Sequence, residues 1–129
     1  MAGAGGIPPM LRLKRSAQSG SKAMATDWTA VYTESSVMAY LFLGGWFDLS
    51  TMALGDIIEI RVQKQLSAGG ALTNHDLKTY NDVQPPGHQV AYISPLPDVF
   101  GIEISMRQTL GVLKAIPAEM FDAMRLGIA

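Results

Sequence analysis

The sequence predicts an all-β protein: an antiparallel β-sandwich of jelly-roll or Greek-key type, with an extended N-terminal arm and a short C-terminal helix. Three observations lead there. Two long stretches alternate apolar and polar residues. Ile58, Ile60, Val62 and Leu66 oppose Glu59, Arg61, Gln63 and Gln65, while Phe100, Ile102, Ile104, Met106 and Leu110 oppose Glu103, Ser105, Arg107 and Thr109. That period of two belongs to strands with one buried face. Thirteen glycines and seven prolines cut the rest into short runs separated by turn chemistry.

Residues 1–23 read as a basic arm. Gly3, Gly5, Gly6, Pro8, Pro9, Ser16, Ser19, Gly20 and Ser21 leave little continuous apolar surface to offset the entropy of ordering, yet Ile7, Met10, Leu11 and Leu13 are apolar anchors that suit an extended path on a partner. Residues 24–129 form the body, a single domain. Strands are predicted over 28–33 and 36–47, the second apolar on both faces and bent at Gly44-Gly45. A compact loop tacked down by Leu49 and Leu54 leads into a strand over 57–66. A more polar edge strand over 77–83 follows the turn at 68–71, and a short strand over 89–93 follows Pro85-Pro86-Gly87. Pro95-Leu96-Pro97-Asp98 reads as a break before the second alternating strand, 100–110, and 113–116 adds a last short one. Pro117 suits the first turn of a closing helix with Met120, Phe121 and Met124 on its buried stripe, Arg125 near its end and Gly127 as its stop.

Charge divides the chain. Arg12, Lys14, Arg15 and Lys22 are the only charged residues before position 23, so six basic residues face eleven acidic ones in 23–129, a net −5. The absence of cysteine excludes disulfides, a thiol nucleophile and thiolate metal sites. The first 22 residues lack the apolar run of a secretory signal, and 37–47, eleven residues containing two glycines, is far short of the roughly 20 a membrane-crossing helix needs. No membrane partner is expected.

Catalytic patterns are missing. His75, in Asn74-His75-Asp76, and His88, after Pro-Pro-Gly, read as solvated turn residues, and Asn74, His75, Asp76 and Asp82 as turn formers before they read as a cation site. There is no Gly-x-Ser-x-Gly elbow, no phosphate loop at Gly20-Ser21-Lys22 and no dinucleotide fingerprint at Gly3-Ala4-Gly5-Gly6. No enzyme activity, cofactor or metal is expected. Four leader charges could neutralise about four phosphates, but the acidic body opposes nucleic acid. Trp28 and Trp46 would serve a carbohydrate site only if both were exposed.

The Cys-free β-body, the arm, the loop Phe47-Asp48-Leu49-Ser50 to Leu54-Gly55-Asp56 feeding Ile57-Ile58-Glu59-Ile60-Arg61-Val62, and the strand Gly101-Ile102-Glu103-Ile104 together resemble small virion β-sandwich proteins of tailed viruses, especially capsid decoration or cement proteins. The resemblance covers most of residues 27–116. It implies a non-enzymatic structural protein of the virion, assembled in the host cytoplasm, that sits as a homo-oligomer, a trimer favoured, and bridges coat subunits such as the major capsid protein. The apolar segment 37–47 departs from that pattern and suits a shell-forming or tail component; a carbohydrate- or small-ligand-binding module is the other alternative. Met10, Leu11, Arg12 and Leu13 are the expected partner-binding residues of the arm, with Tyr40, Phe42 and Trp46 as the inter-subunit patch.

Overall fold

The computed structural model describes residues 13–35 and 39–124. Ten strands account for them: β1 (Gly20–Ala23), β2 (Thr29–Glu34), β3 (Tyr40–Phe42), β4 (Gly45–Asp48), β5 (Ile57–Gln65), β6 (Leu72–Asn81), β7 (Val90–Ile93), β8 (Leu96–Asp98), β9 (Ile102–Leu110) and β10 (Ala115–Met120). All pairings are antiparallel, and five of them nest: β5 with β6, β4 with β7, β3 with β8, β2 with β9 and β1 with β10. The chain is therefore one long hairpin turning at 66–71. Two further ladders, β10 with β4 and β5 with β9, roll it into sheets of order β1-β10-β4-β7 and β2-β9-β5-β6, with β3-β8 a separate pair.

Side chains from both large sheets meet in one core. Tyr32, Ile58, Ile60, Val62, Ile102, Ile104 and Met106 come from one sheet, and Phe47, Ala91, Ile116, Ala118 and Met120 from the other, the arrangement of a β-sandwich. The alternation read in the sequence holds along β5, where Ile58, Ile60 and Val62 are buried and Glu59, Arg61 and Gln63 are not. It fails at the strand ends. Gln108 follows Met106 inward by simple alternation, but a register shift between Ile57 and Ile58 skips Thr109 and Leu110 is exposed; Leu66, past the end of β5, is exposed too. A bulge between Ala30 and Tyr32 likewise buries Val31 and Tyr32 together.

Three expectations need correction. The strand expected over 36–47 is two elements in different ladders, β3 and β4. Gly44 joins them at φ +86°, and a Cβ there would overlap the Ile93 carbonyl, while one at Gly45 would overlap the Glu119 carbonyl; only glycines allow those approaches. The break expected at Pro95–Asp98 contains β8. No helix occurs among the described residues: Pro117 lies within β10, whose ladder with β4 begins only at Ala118, so the proline's missing N–H falls outside it. Met120 is core, and Phe121 and Met124 form bridges with Arg15 and Leu41; Arg125 and Gly127 lie outside the described residues.

The end of the expected arm is built into the body. Residues 20–23 are β1, Ser16 is buried and its N–H donates to the Met120 carbonyl at 2.8 Å, and the Ser19 hydroxyl donates to the same carbonyl at 3.0 Å. Deleting residues 1–12 is expected to leave the body folded, its melting temperature lowered only by what subunit association contributes. Deleting 1–23 strips β1 from β10 and should cost about 2–4 kcal/mol, from several backbone hydrogen bonds at about 0.5–1.5 kcal/mol each; thermal unfolding by circular dichroism compares the two.

Candidate interaction surface

The two sheets present unlike outer faces. On β2-β9-β5-β6 most outward residues are polar and several are paired, with Leu77 an exposed apolar exception: Arg107 Nε donates to Glu59 at 2.6 Å, Thr79 Oγ1 donates to Glu59 at 3.3 Å and Gln63 Nε2 donates to Asn74 at 3.0 Å. Its aromatic, half-buried Trp28, has the Arg61 and Arg107 guanidinium carbons 4.1 and 4.4 Å from the ring centre, a stabilising arrangement of cation and ring.

On β1-β10-β4-β7 the outward residues are largely apolar. Register places Trp46 between Glu119 and Tyr92, and Asp48 beside Val90. Trp46 is 37% exposed, Tyr92 68% and Val90 45%. Phe121 packs on Trp46 with ring centres 5.5 Å apart, and Ala23, Ala115 and Pro117 extend the surface. Asp48 caps the following turn by accepting the Ser50 N–H at 2.9 Å, and its hydrogen bonds with the Ser50 hydroxyl and N–H hold its carboxyl below the usual carboxylate range.

Two of the three leader charges that the structure describes are spent within the chain. Arg15 forms a bidentate pair with Glu119, at 2.7 and 2.8 Å, and Lys14 lies 3.7 Å from Asp122. Hydrogen bonding between Arg15 and Glu119 raises the guanidinium pKa and lowers the carboxyl pKa. Leu13 is exposed; Met10, Leu11 and Arg12 lie outside the described residues. Of the expected aromatic patch, only Trp46 reaches the surface. Phe42 is fully buried with its ring centre 5.1 Å from that of Tyr32, and Tyr40 is buried with its hydroxyl donating to Asp98 at 2.8 Å. The left-handed step at Gly44 changes ladders, so the side-chain parity of β3 does not carry into β4. Tyr92 and Val90, which complete the patch, come from a strand whose exposed face is legible only once β4 and β7 are known to pair.

Polar clamps hold both ends of the sandwich. At one end a depression of about 370 Å³ sits over Asp98, whose buried carboxylate accepts the Tyr40 hydroxyl and the Gly101 N–H, the latter at 2.6 Å, with Lys64 Nζ at 3.9 Å. Burial first, then the hydrogen bond to Asp98, drives the Tyr40 hydroxyl pKa far upward. At the other end buried Asp56 accepts from Lys114 Nζ, from the Ala53 N–H at 2.8 Å and from Gln108 Nε2 at 3.4 Å, while Gln108 also donates to the Leu110 and Val112 carbonyls. A Cβ on Gly111, at φ +92°, would overlap the Asp56 carboxylate. Neither Asp56 nor Gln108 stands out in the sequence, since a lone acid and an amide in an alternating run look like ordinary surface residues.

His75 is on edge strand β6 and not in a turn, as the extra residue of a bulge, and His88 is in the loop after β6. Asn74 and Asp82 are eight residues apart along β6 and its continuation, about 26 Å in extended chain, and Asp82 accepts the Gly55 N–H at 2.8 Å. The described residues hold no group of three His, Cys, Asp or Glu placed for a metal ion, and no helix long and apolar enough to cross a membrane.

Two expectations follow. Phe42→Ala should cost about 3–5 kcal/mol, whereas Trp46→Ala should cost about 1 kcal/mol, mainly the ring contact with Phe121; urea unfolding measures both. The Lys114 ammonium and the Ala53 N–H hold the Asp56 pKa below its ordinary value, so the stability they add is present above the unfolded pKa near about 3.9 and is lost as pH falls through the lower folded value. Asp56→Asn should cost about 2–4 kcal/mol at pH 7 by leaving Lys114 without its partner, and should flatten the acid limb of stability measured by urea unfolding from pH 7 to 2. Comparison of the chain with protein-family models, curated proteins and solved structures finds no match.

Proposed function

We propose that this chain is a non-enzymatic structural protein of a virion that binds coat subunits, the major capsid protein or its equivalent, and stabilises the shell by bridging them as a homo-oligomer, a trimer favoured. The outward Trp46–Tyr92–Val90 face carries this reading. A sandwich already buries the inner face of each sheet, so a second apolar face on one sheet marks a surface that another chain covers. Each Å² of apolar surface removed there contributes about 25 cal/mol, less the cost of immobilising the subunit, and repetition over a lattice multiplies modest contacts.

The nested pairing with sheet orders β1-β10-β4-β7 and β2-β9-β5-β6 supports the jelly-roll form of the sandwich, an architecture of viral capsid and lectin domains. Fold alone does not choose between those uses. The lectin alternative draws on Trp46 and Tyr92 lying side by side, where a sugar ring could stack; against it, the nearby carboxylates Glu119 and Asp48 are engaged by Arg15 and the Ser50 N–H, and the other neighbours, Val90, Pro117, Ala115 and Ala23, are apolar.

Light-scattering mass and negative-stain images of the purified protein test the reading. The wild type should form oligomers or coated particles. The double variant Trp46→Ser, Tyr92→Ser should fall to the monomer mass with its melting temperature within a few degrees of wild type. A monomeric wild type that binds sugars on a glycan array through Trp46 would overturn the capsid role in favour of the lectin one.

A further inference from the structure

We propose that the Trp46–Tyr92 face of one copy receives the N-terminal segment, residues 1–12, of a second copy, so that subunits join head to tail through donated leaders. This deepens the assembly reading and rests on it.

The face is too small to hold two copies by itself. Four strands about 4.8 Å apart and four to six residues long cover about 300 Å² of sheet, against about 800 Å² per partner in a standard interface. An extended segment laid across a sheet adds its own area and its own partners to that contact.

The position of the leader's root favours a second copy over the chain's own face. Arg15 bridges Phe121, the Ser16 N–H donates to the Met120 carbonyl, and the Asp122 N–H donates to the Lys14 carbonyl at 2.8 Å. Followed backward from Ser16 to Leu13, the chain thus runs beside 120–123, past the Glu119–Trp46–Tyr92 row and away from Pro117, Val90 and Ala23. Returning over its own face would need a reversal within Met10-Leu11-Arg12-Leu13, which contains no glycine and follows Pro8-Pro9, a pair biased toward extended backbone. Twelve residues reach up to about 40 Å, twice the width of a four-stranded sheet.

The chemistry of the two surfaces matches. Ile7, Met10 and Leu11 offer apolar side chains to Trp46, Tyr92 and Val90. Arg12 remains to pair with Asp48, a carboxylate that makes no ion pair among the described residues, since Lys14 and Arg15 are committed to Asp122 and Glu119 and Lys22 stands in register with the inward Ile116, off this face. On the opposite outer face Glu59 is paired with Arg107, and Glu103 accepts the Ser105 hydroxyl at 3.2 Å beside it, with no exposed aromatic cluster next to either among the described residues.

Two singly defective proteins test the proposal. One lacks the donor, by deletion of residues 1–12 or, at full length, by Met10→Ser with Leu11→Ser. The other lacks the receptor, Trp46→Ser with Tyr92→Ser. Matched melting temperatures establish that each folds. By light-scattering mass, each alone should be monomeric and a 1:1 mixture should give one species of twice the monomer mass, with nothing larger. A mixture that stays monomeric overturns the proposal, as does wild-type assembly by the donor-defective protein. If that protein assembles normally while the receptor variant does not, the apolar face still serves assembly and only the leader's role falls. A leader deletion that changes Trp46 fluorescence identically at all concentrations would place the segment on its own chain and overturn the exchange.

Discussion

Nested antiparallel pairing about the turn at 66–71 is the constraint on which the other features depend. A hairpin this long would leave two rows of backbone N–H and C=O groups without partners along its sides, and buried groups of that kind must be paired. Rolling it so that β5 meets β9 and β4 meets β10 satisfies the inner rows and leaves the two large sheets four open edges. Two of these, β1 and β7, are four residues long. The long one, β6, is polar and exposed, with a bulge at His75 and charges at Asp76 and Lys78, features that discourage edge-to-edge pairing.

Nesting also moderates the entropy of a topology built on distant contacts. Gly20 pairs with Ala118 and Thr29 with Met106, separations that would be costly to close from an open chain. Zipping outward from β5–β6 requires only the next short loops to close at each rung, and loop cost grows slowly with length. The rungs with strong alternation, β5 and β9, lie in the sheet joined directly to the turn. The weaker rungs, β3–β8 and β1–β10, carry the glycine-glycine step and Pro117, and so depend on a partner strand already in place.

What was legible in the sequence follows the same division. The central strands could be read because their side chains alternate against a core on one side only; Ile58 to Val62 and Ile102 to Met106 settle the β class and much of the buried set. Elements without that asymmetry could not. Val37 to Phe47 is apolar throughout, so nothing in its pattern shows that Tyr40 and Phe42 turn inward and Trp46 outward once Gly44 has changed ladders. Pro117 followed by Ala118, Glu119 and Met120 satisfies the start of a helix locally, and only pairing with β1 and β4 makes it a strand. Gln108 occupies a core position because Asp56, Lys114 and two carbonyls consume its hydrogen-bonding capacity, a solution that exists only when the loops at 49–56 and 110–114 meet.

Rigid ends and unlike sides give the body a direction. Asp98 fixes the end from which the leader departs, and Asp56 fixes the opposite end, holding Leu54 and Val112 in solvent at 85% and 83% exposure. Between them one outer face is mainly polar, with Glu59 and Arg107 paired on it, and the other is mainly apolar, with Asp48 and the Glu119–Arg15 pair on it. Two polar faces gain little by meeting, since exposed charges already have water and each other, and two apolar faces would bring Asp48 against its own copy. The combination that removes apolar surface without opposing like charges is the apolar face against a basic, apolar segment. Under the proposed exchange a subunit would add neighbours in a single sense, and the angle between the leader's exit beside Phe121 and the receiving sheet would set whether the result closes into a ring or stays open.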